Sequence, residues 1–133
     1  MHMTLIVDTN VISDVIHDDP VWRPWAETQM SAYVGTLLIN PFIYAELCCR
    51  AQNTAELDES LKLLGVGYEE ISKEALYLAA QAFLIYRRRG GTKTAPLPDF
   101  FIGAHAEAAG FTILTRDTAR YETYFPNVPL ICP

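Results

Sequence analysis

Leu5-Ile6-Val7-Asp8-Thr9-Asn10-Val11-Ile12 reads as a buried strand that surfaces, presents one carboxylate and turns into a helix. A strand buried on both faces of a parallel sheet is a near-continuous aliphatic run rather than an alternating one. Asp, Thr and Asn are all favoured helix N-caps, so the polar triplet marks the turn. Asp8 is open to two roles at this point, a cap and a functional carboxylate at a strand end.

The same alternation continues downstream. Thr4 to Val7 is the first expected strand and Asn10 to about His17 the first helix, ended by Asp18-Asp19-Pro20. Trp22 to Tyr33 is a weaker helical segment with Trp22, Trp25 and Met30 on its apolar side, and Thr36 to Ile39 is a second short strand. Asn40-Pro41 opens a helix, with Pro in the first turn where its missing N–H is harmless. Phe42, Ile43, Ala45, Leu47 and Cys48 make that helix apolar nearly all round, and Glu46 interrupts it.

After a polar break at Gln52-Asn53-Thr54, a helix capped by Thr54 runs to Leu64, with Leu57, Leu61 and Leu64 on one stripe. Gly65 to Ile71 holds a third strand, and Ser72 starts a long helix through Arg89. Its apolar face carries Ala75, Leu76, Leu78, Ala79, Ala82, Phe83 and Tyr86. Gly90 to Pro98 is a loop, and Asp99 begins a helix of small residues that Gly110 terminates. Phe111 to Leu114 is a fourth strand delivering Thr115-Arg116-Asp117; a short helix to Phe125 and a strand at Val128 to Ile131 follow. Strands alternating with helices imply an α/β domain with a mostly parallel central sheet of about five strands, spanning residues 1–133 as a single unit. Functional groups in such sheets gather beyond the carboxyl ends of the strands, near a topological switch point.

Composition narrows the function. At 133 residues and 50% hydrophobic content, the chain can bury a sizeable core without metal or disulfide. Cys48, Cys49 and Cys132 form no CxxC pattern and read as free thiols of a reducing compartment. No basic leader precedes the first apolar run, and no stretch reaches the ~20 apolar residues of a membrane span. The expectation is a soluble cytoplasmic protein. A net charge of −6 argues against a general phosphate-backbone binder, but not against an enzyme with a local basic patch. Arg87, Arg88, Arg89 and Lys93 supply such a patch from four of the ten basic residues, and they equally suit a solvated helix end.

Most of the sixteen acids, Glu69 among them, sit on polar faces or in loops. Four are flanked by apolar residues: Asp8 and Asp117 after buried strands, Glu46 within an apolar helix, and Asp99 at the start of another. Each has an ordinary alternative, since the aspartates suit helix N-caps worth about 1 kcal/mol and Glu46 can pair with Arg50 for a few tenths. Capping leaves Glu46 unexplained. If the four converge they need a cation, because two carboxylates ~4 Å apart repel by about 4 kcal/mol at an effective dielectric of 20. Oxygen donors without His or Cys suit Mg²⁺ or Mn²⁺, and Mg²⁺ is typically shared with phosphate oxygens. His2, His17 and His105 lack zinc spacing, His105 reading as a packed or exposed helix residue, and no phosphate loop, GxGxxG or GxSxG occurs.

With those acids placed, the chain resembles the PIN-domain ribonucleases, specifically VapC-type toxins of bacterial toxin–antitoxin pairs. The likeness rests on Val7-Asp8-Thr9-Asn10-Val11-Ile12, Pro41-Phe42-Ile43-Tyr44-Ala45-Glu46-Leu47, Leu97 to Ala106 and Leu114-Thr115-Arg116-Asp117, in that order. It implies a PIN-like three-layer α/β/α sandwich whose acidic pocket binds Mg²⁺ or Mn²⁺. By motif match Asp8 and Asp99 are the principal metal ligands, and Glu46 and Asp117 complete the catalytic pocket directly or through water. Thr9, Asn10 and Thr115 match residues that orient carboxylates or water. The resemblance further implies an RNA substrate cut to leave a 5′-phosphate by in-line attack of water, a homodimer, and an antitoxin partner that blocks the pocket. Arg87, Arg88, Arg89, Lys93 and Arg116 are candidates for RNA contact on charge alone, and Arg116 equally for pairing with a pocket acid. Gly103 departs from the family, which often has Ala there, a difference expected to affect helix packing more than chemistry.

Two other readings remain at this level. A haloacid-dehalogenase-like phosphatase would use Asp8 as nucleophile, but wants a second Asp two positions on, where this chain has Asn10. A non-catalytic PIN fold serving only to bind a partner would have no reason to keep four mutually repelling acids.

Overall fold

The computed structural model describes residues 3–133; His2 lies outside them. Among the described residues, β1 (Leu5–Val7), β2 (Leu37–Ile39), β3 (Gly67–Tyr68), β4 (Thr112–Leu114) and β5 (Leu130–Ile131) form one sheet in the order β3-β2-β1-β4-β5. Every neighbouring pair is parallel. The opening aliphatic run is its central strand, and Leu5, Ile6 and Val7 are fully buried, as a strand covered on both faces requires.

Among the described residues, seven helices flank the sheet: α1 (Thr9–Ile16), α2 (Arg23–Ala32), α3 (Pro41–Cys48), α4 (Thr54–Leu63), α5 (Lys73–Arg88), α6 (Pro98–Ala109) and α7 (Ala119–Tyr124). The chain leaves β1 toward β2 on one side and returns later to β4 on the other. The switch point thus lies at the carboxyl ends of β1 and β4, where Asp8 and Thr115 stand.

The helix starts refine the sequence reading. Asn53, not Thr54, caps α4, its side-chain oxygen accepting from Glu56 N at 2.8 Å. Its extended backbone leaves that oxygen free to reach inward. Ser72 does cap α5, and Asn40 caps α3 by accepting from Phe42 N and Ile43 N. Neither Asp99 nor Asp117 is a cap. Asp99 lies in the first turn of α6, which opens at Pro98, and α7 is entered through Thr118. On α5, Ala75, Ala79 and Ala82 make the buried face, whereas Leu76 is exposed. No helix among the described residues is long and apolar enough to cross a membrane.

Gly103 has a packing reason. A Cβ there would overlap Cδ2, Cε2 and Cγ of Phe125, a ring only 2% exposed and unable to swing into solvent. Overpacking of this kind costs about 1–3 kcal/mol, offset by about 1 kcal/mol of helix propensity gained from Gly to Ala. Gly103→Ala is therefore expected to destabilise the chain by up to about 2 kcal/mol in urea unfolding. Adding Phe125→Leu should cost less than the sum of the single changes, because the smaller side chain yields the space.

Candidate active site

Asp8 emerges from β1 into the N-terminus of α1 with 6% of its surface exposed. Its Oδ1 accepts from Thr9 N at 2.7 Å, and its Oδ2 accepts from Thr115 Oγ1 and Tyr121 OH, each at 2.8 Å. Capping and placement in the pocket are thus one position. Burial pushes the Asp8 carboxyl up from the usual aspartate range; the bonds from Tyr121, Thr115 and Thr9 oppose this, and the nearby Asp117 adds to it.

Glu46, the exception in the apolar α3, is half-buried and accepts from Thr9 Oγ1 at 2.7 Å. Consecutive residues of one turn therefore carry the first acid and anchor the second. Arg50 does not pair with Glu46; it donates to Ser13 Oγ at 3.2 Å. Burial raises the Glu46 carboxyl, against the Thr9 bond and with Asp8.

Asp99 on α6 is pushed up to about 6, first by burial and next by Asp8, with Glu46 and Asp117 contributing and Arg120 opposing. Asp117 is exposed and shares with Asp99, Arg120, Tyr86 and Tyr124 the wall of a concavity of about 270 Å³. The charges of Asp8, Glu46 and Asp117 therefore all bear on Asp99. Among the described residues, however, no three His, Cys, Asp or Glu side chains stand at metal-ligating spacing.

The predicted orienting residues form a connected set. Thr115, fully buried, donates to Asp8 and accepts from Asp117 N at 3.1 Å. Asn10 reaches Thr115 Oγ1 through Nδ2 at 3.5 Å and accepts from Arg116 N at 3.4 Å. Asn10 is thus a neutral amide held in this network, and it supplies no general acid to an aspartyl nucleophile.

The basic residues disperse. Arg87 donates to the carbonyls of Gly91 and Lys93 at 3.2 and 2.8 Å, Arg89 lies over the Tyr124 ring, and Arg88 and Lys93 are exposed. Arg116 pairs with no pocket acid. Its Nε and Nη2 bind Asp14 Oδ2 and Oδ1 at 2.7 and 3.1 Å. His105 is the packed residue of the two alternatives, with Nδ1 accepting from Asn40 Nδ2 at 3.3 Å and Nε2 meeting Glu69 Oε2 at 2.8 Å. Because Asn40 Oδ1 is held by two backbone N–H groups, its NH₂ faces the ring and fixes the proton on Nε2. Glu69, read as solvated, is thus His105's partner.

Three residues of the site's surroundings escaped the sequence reading: Tyr121, Arg120 and Asp14. Tyr121 is 1% exposed, and burial followed by Asp8 and Asp99 pushes its hydroxyl far upward, so it remains a donor. Asp14 carried the same signal as Glu46, an acid within an apolar helix between Val11 and Val15. Arg120 carried none.

Asp8, Glu46, Asp99 and Asp117 offer a set of oxygen donors, and three of these carboxyls are raised, first by burial and then by the neighbouring acids. That chemistry fits a hard divalent ion retaining several waters, as loosely spaced carboxylates favour.

No curated protein matches the sequence significantly. The fold is shared with VapBC-1 from nontypeable Haemophilus influenzae (17% identity, TM-score 0.73, 98% of each chain covered). It is also shared with the DNA-bound VapBC of Salmonella typhimurium (16%, 0.72, 98% of each). A third likeness is to a toxin–antitoxin complex from Klebsiella pneumoniae (19%, 0.68, 89% of this chain and 90% of that one). The profile of the PIN domain matches residues 5–126, nearly the whole chain, and the chain belongs to the PIN domain family.

Proposed function

We propose that this PIN domain is a divalent-metal-dependent endoribonuclease acting as the toxin of a toxin–antitoxin pair. The observation that carries the proposal is the convergence of four carboxylates from β1, α3, α6 and the β4–α7 turn on the switch-point edge. Asp8 and Asp99 would hold Mg²⁺ or Mn²⁺, with Glu46 and Asp117 completing the pocket. The ion would lower the pKa of an attacking water and stabilise charge on the reacting phosphate. Thr115 and Tyr121 hold the Asp8 carboxylate in one orientation, and Thr9 holds Glu46 beside it. Likeness to a toxin–antitoxin complex supports the biological role. An antitoxin covering the pocket, a homodimer as the working form and the cytoplasm as its place belong to the same proposal.

The test is cleavage of labelled single-stranded RNA by the purified chain. Mg²⁺ or Mn²⁺ should support cutting to 5′-phosphate ends, EDTA should stop it, and added Mn²⁺ should restore it. RNA left intact under every metal tried would remove the ribonuclease reading.

The electrostatics make a separate prediction. Burial pushes the Asp99 carboxyl from its ordinary value of 3.8 up to about 6 in the folded chain. Between those values the folded state binds more protons, so stability from this group falls as pH rises and then levels off. A divalent ion relieves that repulsion, and protons compete with it. Millimolar MgCl₂ should therefore raise the melting temperature more at about pH 7.5 than at about pH 5. An equal rise at both would show that the ion is not at these acids.

A further inference from the structure

Arg120 is under-satisfied where it stands. Its guanidinium lies 5.4 Å from the ring centroids of both Tyr86 and Phe100. Stacking holds the plane of a guanidinium but leaves its edge donors unfilled. Nε meets Asp99 Oδ2 only at 3.5 Å, and among the described residues Nη1 is buried with no hydrogen-bond partner. By contrast, Arg116 places two donors on Asp14, and Arg87 places Nη1 on two carbonyls.

The surroundings define what the missing partner is. Arg120 walls the same concavity as Asp99 and Asp117. If Asp99 holds a divalent ion, as the proposed function requires, a guanidinium beside it loses its counter-charge and is repelled. The ligand that satisfies both the fork and the ion is an anion with several oxygens, and a phosphodiester has that chemistry.

We propose that Arg120 is the phosphate-binding side chain of this site, neutralising Asp99 in the free protein and passing its donors to the RNA phosphodiester when the acids hold a divalent ion. This inference rests on the ribonuclease reading. It assigns Arg120 two opposed effects, since it competes with the ion and assists the substrate. A residue that merely packed the aromatic cluster would have neither.

Arg120→Met keeps the apolar stem between the rings and removes the charge. Calorimetric titration of the RNA-free chain with MnCl₂ should show about tenfold tighter binding in the variant. Steady-state cleavage of a fluorescent single-stranded RNA should show KM raised about tenfold, with a smaller change in kcat. Arg120→Gln should move both constants in the same directions, and serves if the Met variant does not fold. Melting temperatures read the packing contribution separately. Mn²⁺ affinity unchanged or weakened, or KM unchanged, overturns the proposal. A wild-type chain that cuts RNA, with variants matching it, overturns this inference alone. A wild-type chain that cuts no RNA overturns it together with the ribonuclease reading.

Discussion

Asp8→Asn should lower RNA cleavage by about 10³-fold or more, a loss of about 4 kcal/mol of transition-state stabilisation, while leaving the chain folded. The two effects separate because the substitution keeps shape and removes charge. Asn is as good an N-cap as Asp, so the oxygen that accepts from Thr9 N is retained. The other carboxylate oxygen, which accepts from Thr115 and Tyr121, becomes an NH₂ facing two hydroxyls. The Tyr121 hydroxyl can also accept, and Thr115 has the Asp117 carbonyl within 3.2 Å for its own proton. The lost carboxylate was itself unfavourable in the metal-free chain, since its burial raises it and its charge raises Asp99 and Glu46. Melting temperature should therefore change little without metal, and stabilisation by MgCl₂ should largely vanish. Cleavage by Asp8→Asn at the wild-type rate would sink the assignment of this edge as the metal pocket.

How far the sequence discloses this site depends on how local each signal is. Asp8 and Thr115 are legible because the aliphatic runs before them are strands buried on both faces. Gly110 adopts a left-handed φ of 74° just where α6 must stop. Glu46 is legible as an acid among apolar residues, although its partner Thr9 lies 37 residues away. The outer strands β3 and β5 keep only two residues each and are not fully buried; β3 falls within the Gly65 to Ile71 expected to hold it, whereas β5 is shorter than the expected Val128 to Ile131. The misread contacts are those fixed by strand order. Tyr121 reaches Asp8 across 113 residues, and Arg116 reaches Asp14 across 102, because β4 lies beside β1. Periodicity within a helix has no access to that adjacency. The arginine run shows a further limit. Successive helical residues are turned by about 100°, so Arg87, Arg88 and Arg89 cannot share one face. One folds back on the loop, one faces solvent and one meets Tyr124.

Arg116→Met is expected to cost about 3 kcal/mol of folding stability and to lower the melting temperature by about 10 °C. Asp14 is 5% exposed, and the guanidinium fork grips both of its oxygens. Removing one partner of such a pair leaves a carboxylate taken out of water with nothing to replace the water. That penalty runs to about 3–5 kcal/mol when the pair is fully buried. Arg116 is 31% exposed, so solvent reaches part of the vacated space and the lower end applies. The pair also fastens α1 to the turn after β4, the two elements that deliver Asp8 and Thr115, and the Trp22 ring stacks on the guanidinium. Adding Asp14→Asn should restore at least about 1 kcal/mol, because the uncompensated charge is then gone. Urea unfolding of the two single variants and the double variant measures the coupling directly. Purely additive losses would mean that Arg116 acts through its stack on Trp22, and that the ion pair holds nothing together.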